Sequence, residues 1–326
     1  MAANVAITLA KTDKKIWESL SHFSFEYLAL AALLALIPWL TGTLRLRIWT
    51  RFLGEKYSFV DLFKIIIGCD IGSAISPTAV GGGYVKLFLL SQQGMKSGAA
   101  ASVMTLATLE DLAFFILAIP LSLVLTSGST LATLGDYAAR IREIKVDLLT
   151  AVIIPAVVIL FILVFKKSPL YKKLISVSWG GRLRNRIKAF WAEFAAVYRR
   201  IGKTGKKRLL LTMPLTAVQW TARYTVITVL LACFHVPLKP VEFFLLQWVV
   251  FTITTLTPTP GGSIGAEAAF FLIYKAYIPT EMIGLVTAAW RFFTFYLLFG
   301  LGAVLFGALQ FTPSGRERSN GTEPQV

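Results

Sequence analysis

The sequence predicts an all-α polytopic integral membrane protein with two broken, re-entrant helical hairpins arranged as an inverted repeat. Three observations carry this reading: apolar residues gathered in long runs, two of those runs interrupted by proline and glycine, and one short motif recurring at a fixed offset. Apolar residues fill 56% of 326 positions and charged residues only 15%, against roughly 25% charged in soluble domains. The mean hydropathy is +0.68. The runs approach the ~20 residues that a helix needs to cross a ~30 Å hydrocarbon core.

Taken in order, residues 1–24 form a Lys-containing amphipathic segment around Trp17 and Leu20, without the pattern of a cleaved signal peptide. Five stretches read as spanning helices: Phe25 to Leu44, Ser97 to Thr126, Leu148 to Phe165, Leu209 to Phe234 and Glu281 to Leu309. Two further apolar regions are broken, about 57–93 by Ser76-Pro77 and Gly81-Gly82-Gly83, and about 241–278 by Pro258, Pro260 and Gly261-Gly262. Proline removes a backbone donor and glycine loosens a helix, so each region is expected to be two arms joined by unwound backbone. The first membrane repeat thus covers 25–165 and the second 209–310, with a disordered tail expected over 311–326. Cys69 and Cys233 lie inside apolar segments without metal-ligand spacing and read as small buried hydrophobes.

Charge sets the expected topology. Residues 166–208 hold fourteen Lys and Arg against one acid, Glu193, which places this loop in the cytoplasm. Arg45, Arg47, Arg51 and Lys56 read as a second basic loop. Both fall on one side only if the hairpin at about 57–93 enters and leaves by the same face. Within the long loop, Ile187, Phe190, Trp191, Phe194 and Val197 form the apolar face of an amphipathic helix, whose Lys and Arg suit anionic phospholipids. No nucleic-acid motif accompanies this charge, so nucleic acid is not an expected partner.

The repeat is the most informative feature. Pro77-Thr78 and Pro258-Thr259 are 181 positions apart, and at the same offset Gly81 meets Gly262, Lys86 meets Glu267, and Glu110 meets Arg291. Each half reads Pro-Thr, glycines, a charge in the second arm, and an opposite charge 24 residues later. Charges inside apolar segments are expensive and are usually paired or turned toward a cavity. The pattern therefore points to a polar site built where two unwound segments meet. Its candidate residues are Lys86, Glu110, Gly81, Gly82, Thr259, Gly261, Gly262, Glu267 and Arg291. Asp111, Asp70 and Arg223 are further charges in apolar surroundings. Glu110 and Arg291 also read as a structural ion pair between the repeats.

The run Thr257-Pro258-Thr259-Pro260-Gly261-Gly262, followed by Glu267-Ala268-Ala269, resembles the signature of the flippase-like family that includes the membrane domain of lysylphosphatidylglycerol synthases. Arg291 matches the Arg of that family's final helix, and Ser76-Pro77, Gly81-Gly82, Lys86 and Glu110 resemble its first-half motif. The first half departs at Gly83-Tyr84 and Lys86, where the family commonly has Glu-Pro and an Arg, and at Asp111, where an Arg usually follows the Glu. The resemblance covers about residues 25 to 310. It implies a transporter or flippase for a lipid or lipid-linked headgroup in the cytoplasmic (inner) membrane, with a membrane lipid as substrate and no cofactor. A second copy of the chain, in a homo-oligomer, is a further candidate partner. His22 and His235 have no partners in sequence and Glu110-Asp111 is the one adjacent carboxylate pair, so catalysis is not expected. A lipid-modifying enzyme and a non-catalytic subunit are the alternatives.

Overall fold

The computed structural model describes residues 24–76, 80–126, 179–257 and 259–310. The N-terminal amphipathic segment, the expected span at 148–165, the tail, and Pro77, Thr78 and Pro258 lie outside these residues. The described residues form helices and no strands, and three helical stretches, Phe25–Leu53, Ser97–Leu125 and Ile283–Leu309, are long and apolar enough to cross a membrane.

Helix α1 (Phe25–Leu53) is closed by Gly54, whose φ of 94° is left-handed and whose N–H caps the carbonyls of Thr50 and Arg51. It runs past the boundary expected at Leu44, because Arg45 is an inward-facing helical residue rather than part of a solvated loop. α2 (Phe59–Ile75) starts at Ser58, whose hydroxyl accepts from the Asp61 N–H at 3.1 Å. α3 (Val80–Gln92) folds back on it. Close approach depends on glycine here: a Cβ on Gly72 would stand 2.6 Å from Val85 Cγ2, and one on Gly82 would collide with Ser73 and the Cys69 carbonyl. α4 (Ser97–Leu125) follows.

After the undescribed segment, α5 (Trp179–Arg200) continues through a π-helical turn, Ile201–Gly205, into α6 (Lys206–Cys233). With 28 residues α6 reaches about 42 Å, but Gln219, Arg223 and several threonines make it less apolar than the other spans. Thr212 and Thr216 are fully buried. α7 (Pro240–Leu256), a 3₁₀ turn at Pro260–Gly262 and α8 (Ser263–Tyr274) form the second hairpin. Gly261 and Gly262 both sit at φ 61°, a conformation that side chains strain to adopt. A Cβ on Gly262 would also lie 2.8 Å from the Thr254 carbonyl. α9 (Ile283–Arg291) then passes through a second π-helical turn, Phe292–Tyr296, into α10 (Leu297–Gln310).

The offset of 181 positions recurs in the helix boundaries. Shifted by it, α1 falls on 206–234, where α6 lies, and α2 on 240–256, the bounds of α7; α3 overlaps α8, and α4 overlaps α9 to α10. α1 and α6 make the most extensive helix contact, and they run antiparallel. Arg200 donates to the Leu53 carbonyl at 3.5 Å, Gly205 faces Trp49, and Gln219 faces Thr41 and Gly42. The contacts are also reciprocal, α2 packing on α10 as α7 packs on α4.

Both ends of the first hairpin lie at the end of the molecule that carries α5. There Gly98, opening α4, donates to Glu193 at 3.2 Å, and Arg200 and Arg208 stack on Phe52 at 5.0 and 4.7 Å. The second hairpin begins and ends at the far end, where Tyr277 donates to Glu242 at 2.6 Å. The two tips meet, since the Cβ position of Gly261 is 3.5 Å from the Ala74 carbonyl.

Candidate functional site

The second hairpin builds the more complete half of the site. Arg291 ends α9 just before the π-helical turn and is 5% exposed. Its Nη2 donates to the Gly261 carbonyl at 3.3 Å and to Ser263 Oγ at 3.2 Å. Its Nε stands 3.8 Å from Glu267 Oε1, too long for a hydrogen bond. The guanidinium lies 4.6 Å from the Phe295 ring centre and 5.8 Å from that of Trp290. The π-helical turn adds one residue to the helical repeat and so turns Phe295 under the guanidinium. Gly261, Gly262, Trp290, Arg291 and Phe295 line a cavity of about 240 Å³. Thr259, at the same tip, has a buried hydroxyl with no hydrogen-bond partner among the described residues.

The first half is organised differently. Glu110 is 2% exposed, and its partner is Arg45, not Lys86 or Arg291. Arg45 Nη2 and Nε donate to Glu110 Oε2 at 2.8 and 3.1 Å, and Nη1 donates to Asp111 at 2.9 Å. Trp49 Nε1 donates to Glu110 Oε1 at 2.9 Å and Thr212 donates to the same oxygen at 2.5 Å. Glu110 thereby joins α1, α4 and α6. This corrects the expected Glu110–Arg291 pair: the ion pair of Glu110 stays within the first half, from α1 to α4, and what reaches it from the second half is the Thr212 hydroxyl of α6.

Lys86 lines a second cavity, of about 150 Å³, together with Arg45, Asp111 and Gln219. Gly81 and Gly82 line neither cavity and serve the packing of α3 on α2. The two cavities share two side chains, Asp70 of α2 and Arg223 of α6. Asp70 accepts from Trp39 Nε1 at 2.7 Å. Arg223 lies over Trp220 and Phe251, 5.6 and 5.9 Å from the ring centres.

The sequence named the charged positions of the hairpins but missed Arg45 as a site neighbour, because three arginines and a lysine within twelve residues resemble a topogenic loop. Its signal was the spacing: Arg45, Trp49 and Phe52 lie on one helical face and all are buried. Tyr224, 1% exposed and lining the larger cavity, carried no signal, since tyrosine in an apolar helix is ordinary packing.

Comparison with known proteins gives a consistent answer over nearly the whole chain. The family model for the lysylphosphatidylglycerol synthase TM region matches residues 2–302. A UPF0104 membrane protein of Archaeoglobus fulgidus is 25% identical over 315 residues, covering 93% of this chain and 92% of the relative. With the matched residues spanning both hairpins and the Arg45, Glu110 and Arg291 positions, the chain belongs to the lysylphosphatidylglycerol synthase transmembrane-region family.

Proposed function

We propose that the protein is a flippase: it moves a lipid or lipid-linked, phosphate-bearing headgroup across the cytoplasmic membrane, without chemically altering it. The observation that carries this reading is Arg291, a buried guanidinium facing a cavity at a glycine-broken helix tip. Its Nε has no hydrogen-bond partner among the described residues. A planar guanidinium held this way binds two phosphate oxygens at once. The 3₁₀ turn at Pro260–Gly262 leads into α8, whose start adds the positive end of a helix.

The antiparallel halves, the offset of 181 positions and the meeting of the tips support an inverted repeat with its site between the repeats. In that arrangement the basic end, with α5, faces the cytoplasm, and each hairpin is re-entrant from its own side. The headgroup passes between the tips while the acyl chains stay in lipid.

The test is a headgroup-sidedness assay in proteoliposomes, paired with mass spectrometry of the lipids. Wild type is expected to change sidedness with no change in lipid mass. Arg291→Ala abolishes this, Arg291→Lys restores it only in part because the two-oxygen geometry is lost, and Glu267→Gln slows it while the protein remains folded. A new lipid species indicates an enzyme. Full transport by well-folded Arg291→Ala protein would overturn the site.

A further inference from the structure

A third cavity lies at the end of the molecule that carries α5, where α1 hands the chain to α2. It holds about 430 Å³ and is lined by Arg47, Arg51, Glu55 and Lys56, with Tyr57 and Ser58 at its edge. None of these residues lines either cavity at the hairpin tips.

The local sequence builds this pocket. Arg47 and Arg51 are four residues apart and so lie one above the other on α1. Gly54, left-handed at φ 94°, then turns the chain back, and the Glu55 N–H donates to the Thr50 carbonyl at 3.0 Å. The turn brings Lys56 round to the two arginines. Charges that only set topology need not converge on one pocket, and these three do.

The three cations have no anion. Among the described residues Arg47, Arg51 and Lys56 make no ion pair, and Arg47 Nε is buried without a hydrogen-bond partner. Buried polar atoms are nearly always paired, and like charges four residues apart on a helix repel. The other polar side chains at the pocket are engaged. Tyr57 Oη donates to Glu55 at 3.3 Å, and Ser58 Oγ accepts from the Asp61 N–H at 3.1 Å and donates to the Asp61 carboxylate at 2.7 Å.

The charge excess survives a count of the neighbours. Arg47, Arg51 and Lys56 face one lining acid, Glu55. Asp61, bonded to Ser58, adds one negative charge, while Arg200 at the Leu53 carbonyl and Arg208 over Phe52 add two positive ones. We infer that this pocket binds a phosphomonoester dianion, whose three terminal oxygens are shared among Arg47, Arg51 and Lys56. Such a group carries about −1.5 to −2 charges at pH 7 and three strong acceptor oxygens, whereas a phosphodiester brings one charge and two free oxygens. Bound there, it ties the end of α1 to the turn that leads into the first hairpin. Its source is either a lipid, as in phosphatidate, or a soluble phosphate ester.

The inference does not depend on the flippase reading, and its test needs no transport. The full chain in detergent is titrated calorimetrically with dihexanoyl phosphatidate, with glycerol 3-phosphate, and with dihexanoyl phosphatidylglycerol, which has the same chains on a phosphodiester. Dihexanoyl phosphatidate is expected to bind about tenfold or more tighter than dihexanoyl phosphatidylglycerol, and to raise the thermal midpoint as a ligand of the folded state does. Arg47→Gln should weaken it about tenfold or more. Lys188→Gln, which removes the same charge from an exposed position on α5 outside the pocket, should cost less than about threefold. If Arg47→Gln does not fold, Lys56→Gln in the exposed turn takes its place, with a several-fold loss expected. Monoester binding that either folded variant preserves, or an equal loss in Lys188→Gln, overturns the pocket. Equal affinity for dihexanoyl phosphatidylglycerol overturns the ligand class, and absence of monoester binding overturns the site. Glycerol 3-phosphate binding as tightly as dihexanoyl phosphatidate supports the site with a soluble source, and much weaker binding supports it with a lipid source. Headgroup sidedness is read separately, so the flippase reading stands or falls on its own assay.

Discussion

Removing the Glu110 carboxylate tests what joins the helices most directly. Glu110→Ala deletes four hydrogen bonds, two from Arg45 and one each from Trp49 and Thr212. Interhelical hydrogen bonds in membrane proteins average about 0.6 kcal/mol and reach about 1.7, which brackets the loss between about 2.4 and 7 kcal/mol. Breaking a buried ion pair by removing one partner costs about 3–5 kcal/mol, inside that bracket. Asp111 keeps part of the Arg45 charge compensated, so the lower half, about 3 kcal/mol, is expected. Asp111→Ala should cost about 1 kcal/mol or less, because its side chain is 26% exposed and it makes one bond to Arg45. The measurement is reversible unfolding in mixed detergent micelles, with a double-mutant cycle on Arg45→Ala. Arg45→Ala and Glu110→Ala should be strongly non-additive. Loss of less than about 0.5 kcal/mol in Glu110→Ala, or additivity with Arg45→Ala, would refute the pairing.

Neighbouring glycines of α3 should respond in opposite ways. Gly82→Ala collides with Ser73 and the Cys69 carbonyl, for an expected loss of about 1–3 kcal/mol, whereas Gly83→Ala meets only Met104 at 3.5 Å and should be neutral or gain up to ~1 kcal/mol; thermal melting in detergent checks both. Neutralising Arg184, Arg186 and Lys188, which are exposed on α5 beside exposed Ile187 and Trp191, should weaken binding to anionic liposomes at low salt, and the difference should shrink as ions screen charge beyond ~8–10 Å. Unchanged binding would leave those charges only their role in topology. Single cysteines at Arg51 and Arg199, on a background lacking Cys69 and Cys233, should be labelled from one side of the membrane and a cysteine at His235 from the other. Labelling of all three from one side would refute the inverted arrangement.

The solvent and the helical class were legible in the sequence, because each rests on local composition. Apolar runs of spanning length demand lipid, but a breaker did not by itself place a break: the chain turns at Pro260–Gly262, whereas Pro38, Pro120 and Pro214 stand inside helices and Gly81-Gly82-Gly83, expected to be unwound, lie within α3. The π-helical turn after Arg291 was not legible, since adding one residue to a helical turn leaves no mark in composition. Nor was the partner of Glu110. Opposite charges at matching places in the two halves suggested Arg291, but the carboxylate had to be met by whichever cation the folded helices brought within about 3 Å, and α1 brought Arg45. A charge in an apolar helix announces that it needs company, while its company is chosen by helix packing. Tertiary structure likewise decided that Asp70 and Arg223 stand between two cavities, because a cavity is the space that several helices leave together and belongs to no segment of the chain.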